Sequence, residues 1–283
     1  MDSPRICPYK SRPMEDVFIP LLIRMLVTAA VVVAATAAAE RAGPFYGALI
    51  GVFPTSAGPA YVMLALKEDA AFVAASAVAS MASMAAIAPF VAVMVWLAPR
   101  AGVWTTVGAG LAVWAVFAVP VSQIAWTPMT ALAVNAVVYP ACFWITRNMG
   151  QAPVDRQSQR TWWYTLPLRA LVVGLFVGAV VTASHALGPV GTGLGAVFPI
   201  VFLSLTVILH LSLGGAAAAA TMHKAMRVVS GMVFALMAMH YGVVVYGSAI
   251  GLSIGLSVSV TWAVMLVVWN RRRTRRAAGK APA

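Results

Sequence analysis

Two segments of equal length, GPFYGALIGVFP at 43–54 and GPVGTGLGAVFP at 188–199, begin with the same two residues and end with the same three. The same offset of 145 residues aligns 18–118 with 163–263 without a gap, and about 24 of roughly 101 positions are identical. Composition alone gives about half as many identities. The chain therefore contains an internal repeat, and repeats of this kind decide the fold before any other feature does.

The composition around the repeat is that of a membrane protein. Of 283 residues, 62% are hydrophobic and 9% are charged, whereas an ordinary globular domain carries about a quarter charged residues. Seven acidic residues and two cysteines provide no carboxylate cluster inside the apolar runs, no disulfide framework and no metal-ligand spacing. We therefore expect no enzymatic activity and no cofactor.

Nine runs are apolar and long enough to cross about 30 Å of hydrocarbon as helices. The predicted spans are 18–39, 45–66, 70–98, 103–119, 129–145, 166–187, 190–211, 216–246 and 248–269. Five spans separate equivalent points of the repeat. Because five is odd, the second unit is expected to be inverted across the membrane relative to the first.

The predicted fold is an all-α polytopic membrane protein with nine transmembrane helices arranged as a 4+1+4 inverted repeat. The expected regions are a disordered leader (1–13), repeat unit 1 (14–120), a linker helix and cytoplasmic loop (121–161), repeat unit 2 (162–270) and a basic tail (271–283). Met14 is an alternative start, since the leader has no evident packing partner.

Basic residues predict the orientation, because loops rich in lysine and arginine are retained in the cytoplasm. With the N-terminus outside, fourteen of the nineteen lysines and arginines fall on the cytoplasmic side and five on the other. The net charge of +12 lies in loops and tails, so topology explains it better than nucleic-acid binding. We expect a multi-pass protein of a bacterial-type inner membrane, in contact with lipid, with a cytoplasmic C-terminus.

Prolines near mid-span predict that helices two and seven are broken at matched positions, Pro54 and Pro199. Proline removes one helical hydrogen bond, so free backbone groups are expected near the bilayer centre, where transporters bind substrate. A simple kink repaired by a neighbouring helix is the alternative. The candidate substrate-binding groups at the two breaks are Pro54, Thr55, Ser56, Gly58, Pro199, Ser204 and Thr206.

Basic residues supply a second set of candidates for contact with an anion. Arg24 and Arg169 are equivalent in the repeat and either attract anions or reach lipid headgroups. A further group in unit 2 either concentrates an anionic substrate or serves only as a positive-inside signal. Its members are His210, His223, Lys224 and Arg227.

Glycines recur every fourth residue in two helices, as Gly43-Gly47-Gly51 and as Gly247-Gly251-Gly255. Such ridges of small residues let helix backbones approach closely. Packing within the chain is the first interpretation. Homodimerisation through the ridges is the second.

This layout resembles that of inverted-repeat secondary carriers with paired broken helices. Sodium-coupled carriers use acidic or amide groups at the helix crossing, and the nearest amide here is Asn135 in the linker helix, so sodium coupling is not expected. The leading hypothesis is a secondary transporter of a small anionic organic solute that works by alternating access. The alternatives are a channel and a noncatalytic membrane subunit or scaffold of an envelope complex.

Overall fold

A computed structural model describes the backbone of residues 57–149 and 165–278, and side chains at 57–149, 171–269 and 272. Every regular element in these ranges is an α-helix. The helices are α1 (Ala57–Ala65), α2 (Ala70–Leu97), α3 (Val103–Gln123), α4 (Pro128–Thr146), α5 (Thr165–Thr182), α6 (Ser184–Ala196), α7 (Ile200–Leu213), α8 (Gly215–Val229), α9 (Gly231–Tyr246) and α10 (Ser248–Ala278).

Within the described ranges, six helices are long and apolar enough to cross a membrane. They are α2, α3, α4, the pair α6–α7, the pair α8–α9 and the first part of α10. Large apolar side chains remain exposed on their outer faces, Trp104 and Val137 by about 70% each, as expected for contact with lipid. The architecture is that of a multi-pass membrane protein. The predicted total of nine spans and the 4+1+4 arrangement are not confirmed, and the first predicted span lies outside the described residues.

Helix α2 is the centre of the bundle. It contacts α1, α3, α4, α6, α8 and α9, and most of its residues are buried. Asp69 begins the helix by accepting a hydrogen bond from the Phe72 amide at 2.7 Å, which satisfies one of the free amides of the first turn. Alanine is its most frequent residue, followed by valine, and these small side chains let six neighbours approach.

The linker helix α4 packs directly on α2. Asn135 is buried, and its Nδ2 donates to the carbonyl oxygens of Met81 and Ala131 at 2.8 Å each. Thr127 and Thr130 form a reciprocal cap at its start. A buried amide held in this way fixes the position of α4 along α2.

One predicted span end was wrong. The predicted sixth span continues to 187, but α5 ends at Thr182 and Gly188 takes a left-handed φ of 65°, which turns the chain before Pro189. Helix α10 continues to Ala278, so it extends into the region predicted as a basic tail (271–283). Arginine and alanine are strong helix formers, and neither glycine nor proline occurs between Gly255 and Gly279.

Helix starts recur at the repeat offset. Helices α2 and α8 begin 145 residues apart, and so do α3 and α10. The packing recurs as well. A Cβ added to Gly110 on α3 would lie 2.9 Å from Met94 Cε and 3.2 Å from Phe90 Cε2. A Cβ added to the equivalent Gly255 on α10 would lie 2.8 Å from Met239 Cβ and 3.1 Å from Ala235 O. Gly255, Met239 and Ala235 each lie 145 residues after Gly110, Met94 and Phe90.

The glycine ridge of α10 serves packing within the chain. Gly251 lies against Val243 of α9, and Gly255 lies against Met239. Gly247 joins α9 to α10 with a φ of 85°, a conformation that favours glycine. The first interpretation of this ridge is therefore confirmed. The ridge at 43–51 lies outside the described residues, and homodimerisation stays a prediction.

Candidate functional site

The helical path is interrupted between α6 and α7, at the position predicted from Pro199. Helix α6 ends at Ala196, Val197 and Pro199 have ψ values of 12° and 35°, and α7 begins at Ile200. Proline has no amide hydrogen to donate, so a continuous helix would lose a hydrogen bond here. The matched break expected at Pro54 lies outside the described residues.

The segment before the break is fixed on α2. Ser80 Oγ donates to Gly193 O at 2.6 Å, and Tyr61 Oη donates to Ser80 Oγ at 2.7 Å. A Cβ on Gly193 would lie 2.8 Å from Ala79 Cβ, so the two helices touch. This contact holds the C-terminal end of α6 in place.

Backbone donors are left free at the start of α7. The Ile200 amide donates to Phe198 O at 2.8 Å, and the Leu203 amide donates to Pro199 O at 2.9 Å. Within the described ranges, the amides of Val201 and Phe202 donate to no backbone or side-chain acceptor, and Pro199 provides no side-chain cap. An uncapped helix start carries free N–H groups and a partial positive charge.

A cavity lies against this break. Its volume is about 60 Å³, it is open on one side, and Val197, Phe198 and Pro199 form one wall. Met84 and Ile87, near the middle of α2, form another. The cavity is therefore midway along the apolar helices.

Both repeat units contribute to the lining. Ala57, Met84 and Ile87 come from unit 1, and the break and parts of α7 to α10 come from unit 2. Most of the lining is apolar. Ser259, near the middle of the apolar part of α10, is the exception, and it is about nine-tenths buried.

Aromatic rings pack behind the break. Trp114 of α3 and Phe176 of α5 both contact Phe198, with ring centroids 4.8 Å and 4.9 Å apart. Trp114 Nε1 is buried without a hydrogen-bond partner. Trp114 and Ser259 are equivalent positions of the repeat, so both units place a donor-bearing side chain close to the break.

The predicted site residues separate into three groups. Pro199 lines the cavity. Ser204 and Thr206 do not: Ser204 Oγ donates to Val201 O at 3.0 Å, and Thr206 Oγ1 contacts Met94 Sδ at 3.5 Å. Gly58 follows Ala57 but is not part of the lining. Pro54, Thr55, Ser56 and Arg24 lie outside the described residues, as does the side chain of Arg169 on α5.

None of the four basic residues of unit 2 lines the cavity, and the group is only partly assembled. On α8, His223 is buried, and its Nε2 lies 3.4 Å from Arg227 Nη2, while Lys224 and Arg227 are exposed. His210 lies elsewhere, beside Gly215 and the end of α2. The structure therefore brings His223, Lys224 and Arg227 onto one helix surface and leaves His210 apart.

One charged contact between the units was not predicted. Lys67 Nζ, after α1, donates to Val181 O at 2.9 Å and Thr182 O at 3.1 Å, the last carbonyls of α5, and to Ser184 Oγ at 2.7 Å. Ser184 Oγ also contacts Glu68 Oε1, and the Glu68 side chain is 5% exposed. We call Lys67, Glu68 and Ser184 the Lys67 latch. A cation at the C-terminal end of a helix offsets the partial negative charge there.

Ser259 and the Lys67 latch are the functional candidates that sequence reasoning missed. Ser259 lies in a run of hydroxyl residues on α10, and the sequence does not distinguish it from its neighbours. No known protein family matches the chain, and neither a curated protein nor a solved structure is significantly similar to it.

Proposed function

We propose that this chain is a secondary transporter of a small organic anion that works by alternating access in a bacterial-type inner membrane. The observation that carries the proposal is the cavity at the α6–α7 break. It lies midway along helices of transmembrane length, both repeat units line it, and an uncapped helix start adjoins it. Carriers built from repeats place their substrate at such a discontinuous helix.

The repeated packing supports a mechanism with two related halves. Gly110 on Met94 and Gly255 on Met239 are the same contact in each unit. Two halves with similar internal packing can exchange similar conformations, which opens a shared cavity first to one side and then to the other. The inversion of unit 2 is part of this proposal and rests on the odd number of predicted spans.

The exposed charges of Lys224 and Arg227 support an anionic substrate. They lie together on α8, and neither has an acidic partner within 4 Å among the described side chains. With the C-terminus in the cytoplasm, both face the cytoplasmic side. Free positive charge at the mouth of a pathway raises the local concentration of anions.

Uptake by proteoliposomes tests the proposal. The purified chain is reconstituted, a proton gradient or a membrane potential is applied, and entry of labelled organic anions is measured against empty liposomes. We expect uptake that saturates with concentration and depends on the applied gradient. Unitary currents without saturation would instead identify a channel. Copurification of one stoichiometric partner, with no uptake, would identify a subunit of an envelope complex.

A further inference from the structure

We infer that the cavity at the α6–α7 break binds a small monocarboxylate with an apolar body. The carboxylate lies at the start of α7 and beside Ser259, and the body lies against Met84, Ile87 and Met232. This assignment rests on the proposed function and deepens it, because it names the chemical class of the substrate and the groups that recognise it.

The start of α7 provides the donors for the carboxylate. The N–H groups of Val201 and Phe202 are free among the described residues, and both residues line the cavity. The fourteen residues of α7 align their peptide dipoles, which places about half a positive charge at this end. A carboxylate can accept from both amides at once.

Ser259 is an independent indication of a ligand. Ser253, Ser257 and Thr261 on the same helix each donate to the carbonyl four residues earlier, at 2.8 to 2.9 Å. Ser259 makes no such bond and has no other hydrogen-bond partner in the described part of the chain, although it is about nine-tenths buried and lines the cavity. A carboxylate oxygen in the cavity would accept a hydrogen bond from this hydroxyl.

Charge balance restricts the ligand to a single negative charge. No lysine, arginine or histidine lines the cavity. Half a charge from a helix start and three neutral donors do not offset the desolvation of a dianion at this depth, so phosphate esters and dicarboxylates are excluded. Apart from Ser259, the lining is methionine, isoleucine, valine, phenylalanine, alanine and proline, which stabilises an apolar body and not a sugar.

Calorimetric titration of the purified full-length chain in detergent tests the assignment. The probes are benzoate and its neutral counterpart benzamide. We expect benzoate to bind at least about tenfold more tightly than benzamide, because hydrogen bonds to a charged group are the stronger ones. Ser259→Ala should weaken benzoate binding by about tenfold or more, and Ser259→Thr, which keeps the hydroxyl, should restore most of it.

The matched control is Ser257→Ala. Ser257 lies half a turn away on α10, is exposed, and already donates to Ser253 O, so benzoate binding should not change. Melting temperatures without ligand show whether each variant folds. Equal affinity for benzoate and benzamide, or unchanged benzoate binding in a folded Ser259→Ala variant, would overturn the assignment.

Oleate, tested in the same way, separates a soluble acid from a fatty acid of the membrane. Binding of benzoate but not oleate supports the assignment, and binding of oleate alone overturns it. Failure of the assignment is distinguishable from failure of the proposed function. Saturable anion uptake without benzoate binding overturns only the assignment, and benzoate binding without uptake of any anion overturns only the transporter.

Discussion

The two repeat units share their packing but not their polar chemistry. In both, a glycine of one helix lies on a methionine of the helix before it, Gly110 on Met94 and Gly255 on Met239. Unit 1 carries Lys67 and Glu68 where unit 2 has Ser212 and Leu213. Unit 2 carries a histidine, a lysine and an arginine where unit 1 has Val78, Ala79 and Ala82.

Burial explains this difference at two of the three positions, since His223 is as buried as Val78. Ala79 and Ala82 are 8% and 1% exposed because α2 lies at the centre of the bundle, and Ala79 touches α6 at Gly193. Their counterparts on α8, Lys224 and Arg227, are exposed. Equivalent positions of a repeat can therefore hold opposite chemistry when one helix is central and the other is at the edge. Shared packing contacts are the more reliable sign of common structure.

The largest expected effect on stability comes from placing in unit 1 a charge that unit 2 carries at the equivalent position. Ala82→Arg places in α2 the residue that α8 carries at the equivalent position. Because the site is 1% exposed, the guanidinium would be buried without a partner, at a cost of more than about 4 kcal/mol. We expect no folded protein by size-exclusion chromatography. The reciprocal change, Arg227→Ala, should leave the elution profile unchanged, and recovery of folded Ala82→Arg would show that α2 is not central.

The glycine contacts should tolerate alanine unequally. A Cβ at Gly255 is closest to Met239 Cβ and a backbone oxygen, which move little. At Gly110 the closest atom is the flexible terminal methyl of Met94, and Phe90 Cε2 is farther away at 3.2 Å. We expect Gly255→Ala to cost about 1–3 kcal/mol and Gly110→Ala less than about 1 kcal/mol. Thermal unfolding in detergent measures both. Gly108, which has no atom within 4 Å of an added Cβ, is the control, and equal losses at Gly110 and Gly255 would contradict the difference in rigidity.

Lys67 of the latch should stabilise the protein more than Ser212, the equivalent residue of unit 2, does. Lys67→Met keeps the length of the side chain but removes three hydrogen bonds, and it leaves Glu68 buried without a nearby lysine. We expect a loss of about 1–2 kcal/mol in the free energy of unfolding.

Ser212→Met tests the equivalent position in unit 2. Ser212 is exposed and donates only to Ile208 O, so the loss should be within about 0.5 kcal/mol. Thermal unfolding of the two variants side by side measures the contrast. A larger loss at Ser212 than at Lys67 would show that the latch does not join the units.

The smallest expected effect concerns the charges of unit 2 alone. Removing Lys224 and Arg227 together should raise the apparent KM for cytoplasmic substrate by about threefold at low salt, because the focusing field is lost. At high salt the wild type should approach the double alanine variant. Uptake by inside-out vesicles measures both. Unchanged KM at either salt concentration would leave these charges with a topological role only.

The sequence predicts helix ends and breaks better than it predicts contacts. The predicted span at 70–98 matches α2 (Ala70–Leu97) because Asp69 and the Pro99-Arg100 pair lie at its ends. The interruption at Pro199 is equally visible, since proline acts through local backbone geometry.

The groups that line the cavity could not be predicted. Apart from Ser76, Ser80 and Ser83, every residue of helix α2 is apolar, so the hydrophobic periodicity does not show which neighbour each face meets. Ser204 and Thr206 were chosen because they follow the break, but a helical hydroxyl can satisfy itself locally, as Ser204 does on Val201 O. The Lys67 latch joins residues more than 110 positions apart, a distance at which single-sequence patterns carry no information.

The central position of α2 has a consequence for biosynthesis. Its neighbours α8 and α9 are made more than 100 residues later, so α2 leaves the ribosome and enters the bilayer before half of its contacts exist. No charged residue lies between Asp69 and Arg100. The helix can therefore remain in lipid until α8 and α9 are made, because alanine and methionine side chains are stable there. The hydroxyls of Ser76, Ser80 and Ser83 can donate hydrogen bonds to carbonyls of α2 itself or to a helix that is made later. Among the helices that the structure describes, the most buried one is thus a helix that can first exist alone among lipids.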